Sequence, residues 1–175
     1  MKFNVRPMDK ADWPQISEIY QQGMDTNQAT FQYECPTYKD WNASHLELCR
    51  LVITGHGRVV GWAALSPVSS RPVYAGVAEV SIYMGTDFHG AGLGTRLLEA
   101  LIASSEESGI WTLQSGIMRD NAASIHVHEK CGFRLVGHRE KIGRDRFGVW
   151  RDTVLMERRS TVVGIRQEDD PCVQR

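Results

Sequence analysis

The sequence lacks most of the features that would announce a function outright. No run of residues approaches the roughly 18 consecutive apolar positions of a membrane-crossing helix. The opening Met1-Lys2-Phe3-Asn4-Val5-Arg6 has no apolar core of a secretory leader, so a cytoplasmic location is expected. Neither sign of charge dominates: 20 Lys and Arg face 21 Asp and Glu, a net charge of −1 with His neutral. No bulk attraction to nucleic acid or to an anionic membrane follows, and neither is expected as a partner. The four cysteines, Cys35, Cys49, Cys131 and Cys172, include no C-x-x-C pair, and none stands near a His pair at zinc spacing. Free thiols and no bound metal are the expectation. Internal repeats and low-complexity blocks are missing too.

What remains is an ordinary globular composition, 42% hydrophobic and 23% charged over 175 residues, enough for one domain with a core. In chain order, Phe3 to Arg6 reads as a strand. Asp12 stands as an N-cap before Trp13-Pro14, and Ile16, Ile19 and Tyr20 carry helical spacing to about Met24. Residues 25–36 form an irregular segment, either lining a pocket or lying on the surface. A second helix is expected from Tyr38 to Leu48. Strands follow at Arg50–Thr54 and Val59–Pro67, joined by a turn at 55–58. A further strand holds Glu79. A helix from Gly92 ends at Gly109, with Leu93, Leu97, Leu98, Leu101 and Ile102 on one side. Ile110–Ile117 reads as a strand, and Asn121 caps a short helix that closes at Gly132. Two last strands, Phe133–Lys141 and Val149–Met156, flank a turn at 143–148. The order β-α-α-β-β-β-α-β-α-β-β predicts one α+β domain around a mostly antiparallel sheet. The pattern breaks after Arg158, so the domain is placed at 1–159 and a loosely held tail at 160–175.

One stretch organises the rest: Glu79-Val80-Ser81-Ile82-Tyr83-Met84-Gly85-Thr86-Asp87-Phe88-His89-Gly90-Ala91-Gly92-Leu93-Gly94-Thr95. A strand runs through a glycine turn into a helix N-terminus, where free backbone N–H groups and the helix dipole favour an anion. Three classes of glycine loop compete for it. A P-loop needs G-K-[ST], but Gly94 is followed by Thr95 and Arg96. A dinucleotide loop needs G-x-G-x-x-G and a carboxylate about 20 positions on, and residues 110–114 hold none.

The third class is a family resemblance. His89-Gly90-Ala91-Gly92-Leu93-Gly94 resembles the Q/R-x-x-G-x-G/A pyrophosphate motif of the Gcn5-related N-acetyltransferase (GNAT) superfamily, with His in place of Gln or Arg. The branch it is most similar to acts on phosphinothricin and methionine sulfone. That likeness is carried by Ile19-Tyr20, Ala29-Thr30-Phe31 with Glu34, Arg71-Pro72-Val73-Tyr74 and Glu79-Val80-Ser81-Ile82-Tyr83. It continues through Asn121-Ala122-Ala123-Ser124-Ile125, His128-Glu129-Lys130-Cys131-Gly132-Phe133 and Trp150-Arg151-Asp152-Thr153. Together these segments span about residues 3 to 157.

The resemblance implies the GNAT fold, a twisted sheet whose middle strands splay, flanked by helices. It implies acetyl transfer from acetyl-CoA to the amino group of a small amino acid or a tetrahedral analogue: phosphinothricin, methionine sulfone, methionine sulfoximine or arsinothricin. An amine attacks only when neutral, and most amino groups are protonated at pH 7, so a base is needed. Glu79 is the candidate, its bland alternative being a strand-face ion pair. Acetyl-CoA would lie along the main chain of Ile82, Tyr83 and Met84, whose N–H groups can hold an oxyanion. Its pyrophosphate would rest on His89, Gly90, Ala91, Gly92, Leu93, Gly94 and Thr95, with Asn121 and Ser124 nearby. His128 would protonate the leaving thiolate, hydrogen-bond near the sulfur, or serve structure alone. Arg71 offers a bidentate fork to the acceptor's carboxylate. Pro72, Val73 and Tyr74 would shape the acceptor pocket, with Phe31 and Glu34 opposite. A homodimer is implied as well. Two other functions compete: a protein or peptide N-acetyltransferase, and a module that binds acyl-CoA without catalysis.

Overall fold

The elements follow from local chemistry and appear in the expected order. In the computed structural model, which describes residues 2–165, strand β1 is Phe3–Pro7. Helix α1, Trp13–Asp25, has Pro14 in its first turn and buries Ile16, Ile19, Tyr20 and Met24. Helix α2 is Tyr38–Ser44, capped by the Thr37 side chain. The hairpin β2 (Leu51–Gly55) and β3 (Arg58–Pro67) follows. Next come β4 (Val77–Met84), α3 (Leu93–Glu107) and β5 (Thr112–Met118). Helix α4, Ala122–Lys130, begins where the Asn121 side chain accepts from the Ser124 N–H. Strands β6 (Arg134–Arg144) and β7 (Trp150–Arg159) complete the fold.

Four local details differ from the expectation, each for a physical reason. Asp12 stands before α1 but its side chain does not cap that helix; its buried carboxylate takes two hydrogen bonds of 2.8 Å from Arg6 and one from the Asp9 N–H at 2.8 Å, closing a capping box with Asp9 on the 3-10 turn before the helix. Helix α2 stops at Ser44 rather than Leu48, because the Ser44 hydroxyl (3.0 Å) and the His45 ring (2.8 Å) both take the Trp41 carbonyl. Strand β6 runs past Lys141 to Arg144; a register shift and a left-handed φ of 47° at Lys141 absorb the irregularity. After Arg159 the chain is at first tied down: the Ser160 N–H donates to Trp111 O at 2.8 Å and its hydroxyl donates to Glu106 at 2.9 Å. The remainder of the expected tail, 166–175 with Cys172, lies outside the described residues.

The seven strands form one mixed sheet in the order β1-β2-β3-β4-β5-β7-β6. All pairs are antiparallel except β4 with β5. Side chains of α3 and α4 cover one face, packing Leu97, Leu98 and Leu101 on Leu65, Ala78 and Met156. The other face carries α1 and α2, with Ile16, Trp41 and Trp62 at its centre. Each fully buried side chain of this size contributes roughly 1.5–3 kcal/mol. Among the described residues, no helix is long and apolar enough to cross a membrane, and no cluster of His, Cys, Asp and Glu could hold a metal ion.

The feature that makes a site is where pairing stops. Strands β4 and β5 share only three residue pairs, the last being Glu79 with Gln114. Beyond that rung β4 stays with β3 as far as Met84 opposite Gly61, while β5 stays with β7 as far as Met118 opposite Thr153. The two strands diverge like the limbs of a V and leave main-chain groups of each without a strand partner on the inner side.

Candidate active site

A cavity of about 1020 Å³ fills the V and extends to both sides of the sheet. At one end lie the glycine turn and the start of α3. Gly90 and Gly92 hold left-handed φ values of 76° and 73°. Such a backbone suits glycine, and no atom lies within 4 Å of where a Cβ would stand on either. The turn is therefore an open cradle. The first amides of α3, on Leu93, Gly94 and Thr95, have no intrahelical acceptor and carry the positive end of the helix dipole. This arrangement suits a pyrophosphate, and the V with its unpaired edges suits an extended chain bearing amides. The residues present thus fit acetyl-CoA. Gly90, Gly92, Leu93, Gly94 and Thr95 border the cavity; Ala91 is exposed and does not. His89 borders it too, but its Nε2 donates to the Met84 carbonyl at 3.0 Å, so the ring braces the turn from below.

On the central strand, Ile82, Tyr83 and Met84 all border the cavity. Ile82 and Met84 pack toward α3. Tyr83 faces the other way, stacked on Trp62 at 5.0 Å and lying 4.8 Å from the Tyr20 ring. Burial drives its phenol pKa far above the ordinary value. The fit is close: a Cβ on Gly23 would stand 2.6 Å from the Tyr83 ring, so only glycine lets α1 cross here.

Glu79 is exposed, borders the cavity, and accepts from Gln114 Nε2 at 3.1 Å. Among the described residues it has no ion-pair partner. The same face of β3 and β4 presents three rungs in succession: Trp62 with Tyr83, Ala64 with Ser81, and Ser66 with Glu79.

On α4, Asn121 accepts from the Ser124 N–H at 3.1 Å and donates to the Gln28 carbonyl at 3.2 Å. Both Asn121 and Ser124 border the cavity. His128 is 1% exposed and stands edge-on to Phe133 at 4.9 Å. Its Nδ1 lies 2.8 Å from the Ser124 carbonyl. A carbonyl only accepts, so Nδ1 carries the proton, and the buried Nε2 of a neutral ring has none. Desolvation lowers the pKa of this ring and favours the neutral form.

One wall of the cavity is formed by Thr26 and Gln28 to Gln32, including Phe31. This segment is clamped from outside. The Asn27 side chain donates to Asp145 at 2.9 Å, and Arg151 donates to the Asn27 carbonyl at 2.8 Å, to Asp145 at 3.2 Å and to Asp120 at 2.9 Å. Hydrogen bonding, first from Asn27, holds the buried Asp145 carboxyl down to about 2. Residues 25–36 therefore do line the cavity in part, with Phe31 inside and Glu34 exposed away from it.

Arg71, Pro72, Val73 and Tyr74 are exposed and do not border the cavity. Pro72–Tyr74 forms a 3-10 turn, and the Arg71 guanidinium lies 5.7 Å from the Tyr74 ring centroid. The fold thus gathers Glu79, the Ile82–Met84 strand, the glycine turn, Asn121, Ser124, His128 and Phe31, and leaves Glu34 and the Arg71 segment outside. Sequence reading passed over Gln114, Ser66 and His45, which also border the site or touch Glu79. Gln114 reaches Glu79 through a parallel pairing that no local pattern displays.

The pattern of the Acetyltransferase (GNAT) family matches residues 13–133. A phosphinothricin N-acetyltransferase of Alcaligenes faecalis is 34% identical over 161 residues, covering 88% of this chain and 81% of that one. An L-methionine sulfoximine/L-methionine sulfone acetyltransferase of Pseudomonas aeruginosa is 29% identical, covering 90% of this chain and 94% of that one. The crystal structure of a phosphinothricin acetyltransferase from Sinorhizobium meliloti in complex with AcCoA superposes with a TM-score of 0.83 at 26% identity, covering 95% of this chain and 93% of that one. With the open V, the glycine cradle and the Glu79 carboxylate bordering one cavity, these similarities converge: the chain belongs to the acetyltransferase (GNAT) family and is an acetyl-CoA-dependent N-acetyltransferase.

Proposed function

We propose that the acceptor is the free amino group of a small amino acid or a tetrahedral analogue of one, in the class of phosphinothricin, methionine sulfone, methionine sulfoximine or arsinothricin. The observation that carries this reading is Glu79: a carboxylate with no cationic partner among the described residues, at the rung where the sheet opens. The acceptor's ammonium gives a proton to the Glu79 carboxylate, directly or through water. The neutral nitrogen then forms a bond to the acetyl carbon and becomes cationic; as the carbon–sulfur bond breaks it gives up a second proton, the thiolate takes up one proton through water, and Glu79 returns the other to solvent. Main-chain N–H groups of β4 support the oxygen that gains charge. The relatives named for phosphinothricin and for methionine sulfoximine and sulfone support this choice of acceptor.

Arg71 is our assignment for the acceptor's carboxylate, made from the resemblance; among the described residues, the only Lys or Arg bordering the cavity is Lys130, on α4. His128, with Nδ1 held by the Ser124 carbonyl and a buried, proton-free Nε2, is assigned to shaping the wall near the sulfur rather than to a hydrogen bond with it. The assembly we propose is a homodimer through the β6–β7 end of the sheet. There Val136, Ile142, Phe147, Val149 and Trp150, spaced along the hairpin, are exposed by 43 to 70%, apolar surface that a second copy would cover. A screen of amino acids and the named analogues with acetyl-CoA, read as free thiol, tests the acceptor class. Turnover of at least one analogue is expected; turnover confined to peptide N-termini would overturn the reading.

A further inference from the structure

His45 follows the end of α2 with extended backbone, φ −116° and ψ 148°. Four contacts fix its ring. It lies flat on Trp41, with centroids 4.4 Å apart and planes at 22°. It stands edge-on to Trp62 at 6.4 Å. Its Nδ1 is 2.8 Å from the Trp41 carbonyl and 3.0 Å from the Ser44 hydroxyl. The carbonyl again requires the proton on Nδ1, so Nε2 of the neutral ring presents a bare lone pair. Burial lowers the pKa of this ring, which keeps it neutral at pH 7.

Nε2 of His45 makes no hydrogen bond among the described residues, and unlike Nε2 of His128 it is not sealed in the core. Its surroundings are the acceptor end of the cavity, which His45 borders together with Ser66 and Glu79. The Leu46 N–H donates to the Leu65 carbonyl at 2.8 Å, which pins the neighbour of His45 to β3 one residue before Ser66. Ser66 lies directly opposite Glu79. A neutral acceptor therefore borders the same cavity as the carboxylate, on the face of the sheet where Trp62, Ser66 and Glu79 lie.

We propose that His45 is a positioning residue of the acceptor site, its Nε2 accepting a hydrogen bond from the amino group that Glu79 deprotonates. The assignment rests on the acceptor reading given above. An ammonium has three N–H bonds. One proton passes to the Glu79 carboxylate, and two N–H bonds remain on the neutral nitrogen. Holding one of those on His45 stops the nitrogen from turning its lone pair away from the acetyl carbon, which is where orientation raises rate. A charged side chain at this place would either repel the ammonium or compete with Glu79 for it; a neutral imidazole does neither.

The test uses the intact protein with acetyl-CoA and L-methionine sulfone. His45→Phe keeps the stacking on Trp41 and removes the acceptor. The KM for the amine is expected to rise about tenfold to a hundredfold, the cost of a lost hydrogen bond to a charged group, with the KM for acetyl-CoA unchanged within about twofold. His45→Gln puts a carbonyl oxygen near the Nε2 position and should recover most of that loss. In the wild-type protein with coenzyme A bound, the ¹⁵N resonance of His45 Nε2 should move upfield when L-methionine sulfone is added. An unmoved KM in a folded Phe variant, a joint rise of both KM values, or a Gln variant no better than Phe overturns the assignment. Should the Phe variant not fold, an unmoved Nε2 resonance in the wild type overturns it alone. Absence of wild-type turnover with any amino acid analogue defeats the acceptor reading and this one with it; turnover with an unmoved KM defeats only the role of His45.

Discussion

Glu79 and Gln114 occupy the last rung that β4 and β5 share, and the Gln114 amide donates to the Glu79 carboxylate at 3.1 Å. Sheet geometry thereby orients the carboxylate proposed as the base: the Gln114 amide holds it from the neighbouring strand, and it borders the opening. Removing the charge while keeping the shape isolates its chemistry. Glu79→Gln is expected to lower kcat about 10²- to 10⁴-fold, the usual size of a general-base contribution, with the KM for acetyl-CoA little changed. Steady-state kinetics with thiol detection checks this, and unchanged turnover would remove Glu79 from the mechanism.

His128 leads to the opposite expectation. Its proton sits on Nδ1, bonded to the Ser124 carbonyl, and its Nε2 is buried without a partner among the described residues. A neutral ring so fixed has no proton to hand to a thiolate. His128→Phe should therefore keep kcat within about tenfold, well short of the loss that removal of a general acid brings. A fall of several hundredfold at pH 7, in protein whose circular dichroism matches the wild type, would restore the acid role.

The clamp on the Asn27 segment has a pH signature. Asp145 has an ordinary value of 3.8 and is held down to about 2 in the fold, first by the Asn27 hydrogen bond. A carboxyl with a depressed pKa stabilises the fold fully above its unfolded value and loses that contribution as pH falls through the folded one. Stability should drop between about pH 4 and pH 2 in the wild type, and Asp145→Asn should flatten that part of the curve while lowering Tm at pH 7. Thermal melts across this range decide it. The same variant should raise the KM for the amine, because Asn27 and the cavity-lining residues that follow it lose their anchor.

Much of this is legible in the sequence alone. Element order follows from apolar spacing, caps and glycines, all of which act within a few residues. The glycine turn and the carboxylate upstream of it were visible for the same reason. What stayed hidden depends on partners far along the chain. The parting of β4 from β5 is decided by which neighbour each strand keeps, and nothing in Val80–Met84 displays it. Asn27 meets Asp145 across 118 positions, so the clamp has no local pattern. Helix α2 ends early because Ser44 and His45 compete for one carbonyl, a contest that propensity alone does not decide. Arg71 to Tyr74 read as pocket residues by resemblance, yet the turn they form keeps them on the surface away from the cavity border.

The open V has a further consequence for the folding equilibrium. A sheet with two bare inner edges is an unfinished sheet, and whatever lies along those edges becomes part of its hydrogen-bonded framework. The acetyl donor is in this sense a removable structural member. Because it binds only the folded chain, stability must rise with its concentration, by about 2.7 kcal/mol at a hundred times its Kd. Melting temperature thus doubles as a binding assay, and the folded population of the protein follows the supply of its own cosubstrate.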